Sequence, residues 1–361
     1  MSENLERFTG TRPVSPQHAF DVGRLTEFMR ANVEGFAGDV QVEQFKGGQS
    51  NPTFRLTAND GKRYVLRRKP PGNLLPSAHA VDREFRVISA LAKTDVPVAR
   101  GYALCQDPAV IGTDFYIMDC VDGRILWDPQ LPGMSNAERA AHFDEMNRVI
   151  AALHKVDPNA IGLGDYGRPG NYIERQVARW SKQYKAAETE TITAADNLID
   201  WLPQHIPAGD ETRIVHGDYR LDNVIFHPTE PRILAVLDWE LSTLGHPMVD
   251  FAYHCMTWRM DGTSAGSRGL LNVDLPALGI PTEAQYLQTY LARTGRSADE
   301  VSPKDWAYYM VFNMFRLAGI LQGIAKRAQQ GNASSTEAVA AGKRARPLAE
   351  QAWELASRIK G

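Results

Sequence analysis

The hydrophobic pattern of this chain changes period once, and that change limits what it can fold into. Between Val40 and Lys69 the segments VQVEQF, TFRLTA and RYVLRR alternate or carry β-favouring residues, which is the period of strands with one buried face. The GGQSNP run from Gly47 and AsnAspGly at 59–61 interrupt them as hairpin turns. Gly61 supplies the positive φ that a two-residue turn requires. Ahead of these strands a helix is expected from about Asp21 to Asn32, with Asp21 as N-cap and Val22, Leu25, Phe28 and Met29 on one face. Behind them, Ala78 to Lys93 sets Val81, Phe85, Ile88 and Leu91 at helical spacing, and strands return at ALC (103–105) and DFYIMDCV (114–121).

After Val121 the period is mainly helical, with helices expected near 137–154, 172–185, 193–202, 283–294, 304–330 and 347–359. Two short strands, RIVHGD and RILAVLDWE, break that run and are separated by a turn containing HPTEPR. The expected architecture is α+β. A small antiparallel β-rich lobe covers 1–120, a larger mainly helical lobe covers 121–361, and the join falls near Asp119 to Gly123.

Composition narrows the function by exclusion. A formal net charge of −3 over 361 residues leaves no broad basic surface for nucleic acid or an anionic membrane. The most apolar long stretch, Trp306 to Ile324, contains Asn313, Arg316 and Gln322, groups that hydrocarbon tolerates poorly, so it reads as a buried helix. Cys105, Cys120 and Cys255 form no CxxC pair, which disfavours a zinc site or a disulfide framework and leaves them as buried apolar groups. The first twenty residues carry charges throughout and lack an apolar run of signal-peptide length, so a cytoplasmic protein is expected.

The chemistry concentrates at two strand ends: His216, Gly217, Asp218, Tyr219, Arg220, Leu221, Asp222, Asn223, and then Leu237, Asp238, Trp239, Glu240. Phosphoryl transfer needs a carboxylate to orient and accept the proton of an attacking hydroxyl, and oxygen ligands to hold Mg²⁺ against phosphates. Asp218 suits the first task. Asn223 offers a metal a neutral carbonyl oxygen, and Asp238, on the neighbouring strand, offers an anionic one. Arg220 suits neutralisation of the transferred phosphoryl group. His216 reads either as a hydrogen-bonding brace for the loop or as a direct participant. Two other readings stand beside these: polar strand ends that only make turns, and a two-metal phosphoesterase built on Asp218, Asp222, Asp238, His227 and His246.

These motifs resemble the aminoglycoside phosphotransferase branch of the protein-kinase-like fold, whose catalytic loop has the same Asp-to-Asn spacing. The resemblance implies a two-lobed fold with ATP and Mg²⁺ as cofactors. On the nucleotide side, Gly47, Gly48, Ser50 and Asn51 read as a phosphate cover or as an ordinary hairpin turn. Arg67 stands where the kinase strand carries lysine, with Arg68 on the opposite sheet face. The resemblance pairs Glu84 with Arg67; a solvated Glu84 is the other reading. It also makes YIMDCV (116–121) the strap whose backbone at Asp119 and Val121 meets adenine, although a buried strand without a ligand would look the same. Asp250 falls where the family braces the catalytic loop, or else takes an N-cap or surface role.

No long activation segment follows Asp238, and Glu240 replaces the glycine of AspPheGly, so a small-molecule hydroxyl acceptor is expected rather than a protein. The run VHGDYRLDNVIFHPTEPRILAVLDWELSTLGHP, with RYVLRRKPPGNLLPSAHAVDREFRVI and YYMVFNMFRLAGILQGIAKRAQQGNA, is similar to the phosphotransferase domain fused to acyl-CoA dehydrogenase family members ten and eleven. That similarity runs from about Phe20 to Leu355. It implies a hydroxyacyl-CoA-type acceptor and a functional link to an acyl-CoA dehydrogenase. Competing readings are an aminoglycoside kinase and a nucleotide- or acyl-CoA-binding pseudoenzyme. Arg316, on an otherwise apolar helix, reads as a contact for an anionic acceptor group or as half of a buried ion pair, and Lys326 and Arg327 as partners of the helix dipole.

Overall fold

The alternating segments of the N-terminal region form one antiparallel sheet of β1 (Thr11–Arg12), β2 (Val40–Phe45), β3 (Thr53–Ala58), β4 (Arg63–Arg68), β5 (Gly101–Cys105) and β6 (Phe115–Asp119). Its order is β1-β2-β3-β4-β6-β5. The structure is a computed structural model that describes residues 10–47, 51–70, 79–263, 268–330 and 340–359. Helix α1 (Val22–Asn32) begins at Asp21, whose side chain accepts from the Arg24 N–H. Leu25 and Met29 of α1 are fully buried in a core with Phe54, Leu56, Tyr64, Leu66, Phe115 and Ile117. Each such side chain contributes roughly 1.5–3 kcal/mol of burial. Helix α2 (Val81–Leu91) follows β4 and buries Val81, Glu84, Val87, Ile88 and Leu91. The β3–β4 connection closes over three residues rather than two. Ala58 N–H donates to the Lys62 carbonyl at 2.9 Å, and Gly61 takes φ 83°, the left-handed residue of a three-residue hairpin loop.

Further along the chain come α3 (Asn136–Lys155), α4 (Tyr172–Ala187), α5 (Thr193–Trp201), β7 (Arg213–Val215), β8 (Val224–Phe226), β9 (Ile233–Val236) and β10 (Thr243–Gly245). Helices α6 (Pro247–Cys255), α7 (Glu283–Arg293), α8 (Pro303–Gln329) and α9 (Ala345–Ser357) follow, and two single-turn helices, Pro108–Ile111 and Leu275–Leu278, lie in connections. Helix α3 starts on a capping box between Ser135 and Glu138. RIVHGD and RILAVLDWE do not pair with each other: β7 pairs with β10 and β8 with β9. Both partner strands are three residues long, too short to show alternation, and for that reason the sequence pattern passes over them.

The chain groups into two units. One contains Met1–Leu126, Asn159–Leu163 and Asp222–Ser242, and the other contains Trp127–Pro158, Gly164–Leu221 and Thr243–Gly361. The β8–β9 hairpin belongs to the first unit because backbone bonds stitch it there. Arg124 and Phe226 exchange two N–H···O bonds of 2.8 Å, and Val236 N–H donates to the Pro97 carbonyl at 2.9 Å. Within the second unit α8 buries Asn313, Arg316 and Gln322, and no helix among the described residues is long and apolar enough to cross a membrane. Cys105 and Cys255 are buried as expected, whereas Cys120 is only half-buried, since it lies just past the end of β6.

Gly123 makes the stitch possible. A Cβ there would lie 2.2 Å from the Phe226 carbonyl oxygen and 2.4 Å from Ile225 Cγ2, so the strap can approach the hairpin only without a side chain. Gly123→Ala is expected to lower stability by roughly 1–3 kcal/mol, read as a lower urea midpoint. An unchanged midpoint would contradict the close approach.

Candidate active site

The catalytic-loop candidates sit between β7 and the unit boundary after Leu221. Gly217 takes φ 86°, a conformation that L side chains rarely adopt, and the turn aims successive backbone N–H groups at α6. Buried Asp250, in the first turn of α6, accepts from His216 N–H at 2.7 Å and Gly217 N–H at 2.8 Å. His154 Nε2 lies 3.1 Å from the same carboxylate, and its Nδ1 lies 2.6 Å from Tyr290 Oη. Burial pushes the Asp250 carboxyl pKa upward, but the bond and charge of His154 and the His216 contacts outweigh it and hold the value below the usual range. The N-cap of α6 is His246, so Asp250 serves as the loop brace. His216 is fully buried, and its Nδ1 accepts from Asp218 N–H at 3.1 Å, also a bracing contact.

Asp218 is thereby held at the end of a clamped backbone. Its Oδ1 accepts from the Tyr253 hydroxyl at 2.7 Å, and Arg220 Nε lies 3.4 Å from the same oxygen. Tyr253 is a contact that sequence reasoning missed. The available signal was its position one helical turn after Asp250, which puts both on one face of α6. Arg316 is buried, donates from Nη2 to the Gly217 carbonyl at 2.8 Å, and stacks over Tyr253 at 4.7 Å and Trp180 at 5.5 Å. Among the described residues a carbonyl and two aromatic faces, not a carboxylate, meet its charge.

In the first unit the polar groups gather around Arg67. Its Nε lies 2.8 Å from Glu84 Oε2, its Nη2 2.6 Å from Asp238 Oδ1, and Glu240 Oε2 stands 3.6 Å away. Burial pushes the Glu84 carboxyl up to about 7; the Arg67 charge opposes this, and the Asp238 and Glu240 charges add to it. Glu84 accepts from Tyr116 Oη at 3.1 Å and Asn51 Nδ2 at 2.8 Å, while Asn51 Oδ1 lies 2.9 Å from His79 Nδ1. The Asn51 amide is thus committed to Glu84 and His79 inside the unit, not held out toward a phosphate. Gly47 follows β2; Gly48 and Ser50 lie outside the described residues. Arg68 turns to the other sheet face, over Phe20 and Phe54. Asp119 spends its N–H on the Arg100 carbonyl at 2.9 Å and accepts from Tyr102 Oη at 2.6 Å; Val121 is half-buried just beyond β6.

Asp238 is not a strand residue. β9 ends at Val236, and Asp238 takes φ 62°, ψ 60° before a single 3-10 turn, a strained conformation for a residue with a side chain. The Asn223 carbonyl accepts from Leu237 N–H at 2.8 Å, so Asn223 and Asp238 leave adjacent points of the hairpin. One neutral and one anionic oxygen donor, both half-buried, suit Mg²⁺, which keeps its remaining ligands as water and phosphate. Among the described residues no three His, Cys, Asp or Glu side chains gather as a metal-ligand set. The histidines of the phosphoesterase reading are engaged elsewhere. His227 Nδ1 accepts from Glu230 N–H at 3.2 Å, and His246 packs on Tyr309 at 5.3 Å between ring centres.

A β-rich unit and a mainly helical unit make up a protein-kinase-like fold. Residues 41–298 match the phosphotransferase enzyme family, and the chain belongs to it. Acyl-CoA dehydrogenase family member 10 of Mus musculus is 45% identical over 350 residues, 96% of this chain and 32% of that protein. The probable acyl-CoA dehydrogenase IBR3 of Arabidopsis thaliana is 44% identical, with 96% of this chain and 43% of that one covered. The chain therefore spans less than half the length of these curated relatives. A crystal structure from Ralstonia eutropha, given an aminoglycoside phosphotransferase designation, is 60% identical with TM-score 0.87, covering 95% of this chain and all of that one. Choline kinase from Cryptosporidium parvum shares the fold at TM-score 0.65 and 14% identity, over 94% of this chain and 97% of that one.

The Asp218 loop is also tied from behind by His254. Its Nδ1 lies 3.2 Å from the Tyr219 carbonyl and its Nε2 2.8 Å from Tyr286 Oη. Burial lowers the pKa of His254 to about 4, and does the same to His246. The unfolded chain binds these protons first, so the stability they contribute is complete above the ordinary histidine pKa near 6.5 and is lost as pH falls toward 4. Stability is expected to fall between pH 6.5 and 4 with a slope on the order of 1 kcal/mol per pH unit per histidine. Urea titrations across that range should show His254→Asn flattening the slope; a slope identical to the parent would contradict a neutral buried His254.

Proposed function

We propose that the chain transfers the γ-phosphoryl group of ATP, with Mg²⁺, to a hydroxyl of a small molecule of the hydroxyacyl-CoA type. The observation that carries this reading is the Asp218 carboxylate on a loop whose backbone N–H groups are gripped by buried Asp250. Asp218 takes the proton of the acceptor hydroxyl as the hydroxyl oxygen bonds to the γ-phosphorus. The bond from that phosphorus to the β-phosphate oxygen breaks, and ADP leaves. Arg220 offsets charge on the phosphoryl group in flight. Asn223 and Asp238 would hold Mg²⁺, which when bound neutralises phosphate oxygens. Arg67, oriented by Glu84, meets the phosphates, with Gly47 at the start of the phosphate cover and the Asp119–Val121 backbone toward adenine.

The acyl-CoA acceptor and a functional link to an acyl-CoA dehydrogenase are supported by the names of the relatives. An aminoglycoside acceptor is the second reading, favoured by the designation of the Ralstonia eutropha structure. The half-exposed Arg220 beside Asp218 suits an anionic acceptor better than a polycation. With radiolabelled ATP and Mg²⁺, label should pass to a hydroxyacyl-CoA and not to an aminoglycoside or choline, and chelation should stop transfer. Asp218→Asn should lower kcat by about 10²–10⁴-fold while ATP binding persists. Undiminished transfer by that variant, or transfer without nucleotide, would overturn the reading.

A further inference from the structure

Helix α6 presents two residues of one face to the catalytic loop, and only one of them acts on the backbone. Asp250 grips the His216 and Gly217 N–H groups, while Tyr253, a turn later, donates its hydroxyl to Asp218 Oδ1 at 2.7 Å. Burial, and then the Asp218 charge, push the phenol pKa far up, so Tyr253 keeps its proton at neutral pH and meets the carboxylate as a donor. Its ring is fixed independently: the Arg316 guanidinium covers it at 4.7 Å while donating to the Gly217 carbonyl at 2.8 Å. Arg220 approaches the same Oδ1 from 3.4 Å on a side chain that is 50% exposed, a longer and looser contact. A short hydrogen bond to an ionised carboxylate, from a donor seated on a helix, restrains the carboxylate in a way that a solvated arginine does not.

We infer that Tyr253 is a positioning residue for phosphoryl transfer, its hydroxyl fixing the rotation of the Asp218 carboxylate so that it meets the acceptor hydroxyl in one orientation. The inference rests on the reading of Asp218 as the proton acceptor. Tyr253 works through Asp218, to which its hydroxyl donates. Removal of its hydroxyl should therefore slow turnover without weakening nucleotide binding, and should cost nothing further once the carboxylate is gone.

The test measures Mg·ATP turnover of the full chain, with water as the acceptor, in the parent, Tyr253→Phe, Asp218→Asn and the double variant. Tyr253→Phe keeps the ring beneath Arg316, so its melting temperature should match the parent. Its kcat should fall about tenfold or more with KM for ATP unchanged. The double variant should turn over no more slowly than Asp218→Asn alone. A ring-fluorinated tyrosine at 253, which keeps the hydroxyl, should retain turnover. A Tyr253→Phe enzyme at the parent rate, or a loss that adds in full to that of Asp218→Asn, overturns the positioning role and leaves Asp218 standing. An Asp218→Asn enzyme at the parent rate removes the proton acceptor itself, and this inference with it.

Discussion

The second unit depends on one carboxylate that accepts two consecutive backbone N–H groups. Asp250 is buried and takes the His216 and Gly217 N–H groups with His154 as its third partner. A buried carboxylate without such partners would cost several kcal/mol; with them, the same burial converts into rigidity of the loop it holds. The loop is then fastened from other directions. His216 holds the Asp218 N–H, Arg316 holds the Gly217 carbonyl, and the Tyr219 hydroxyl donates to the Met146 carbonyl at 3.0 Å. What emerges is a carboxylate at the end of a chain segment that has little freedom left to lose, the preorganisation that acid–base catalysis requires.

The first unit has its own electrostatic centre at Arg67. A lysine there would be a single point charge, whereas the guanidinium places Nε on Glu84 and Nη2 on Asp238 at the same time. Glu240 stands as a third carboxylate 3.6 Å from Nη2, and the five donors of a guanidinium fork can face several acids at once. Glu84 in turn is held by Tyr116 and Asn51, so the network reaches from β4 to Asn51. Loss of one member would leave buried charge without its partner, a change that typically costs about 3–5 kcal/mol.

Long periodic elements were legible in the sequence. Helix α1 with its Asp21 cap, the antiparallel strands and the buried helix α8 follow from pattern alone, because each carries enough residues for a period to show. The family and its kinase-like fold could be read from the spacing of Asp218, Asn223 and Asp238. The three-residue strands β8 and β10 were passed over, because three residues without a flanking motif show no alternation. The left-handed turn at Asp238 was also hidden, since an aspartate after a strand looks like a strand end. Asn51 and Arg316 show the remaining gap. A sequence names a donor, but only packing decides whether it spends its bonds on a neighbour, as Asn51 does with Glu84 and Arg316 with Gly217.

In the proposed reaction Asp218 accepts a proton in direct transfer and is not a nucleophile that carries the phosphoryl group. Loss of activity on its replacement cannot separate these roles, because both need the carboxylate. The stereochemical course at phosphorus can. With ATP made chiral at the γ-phosphorus by sulfur and oxygen isotopes, a single in-line transfer predicts inversion of configuration in the product. Retention would require two displacements through a phosphorylated enzyme, and would contradict the role given to Asp218.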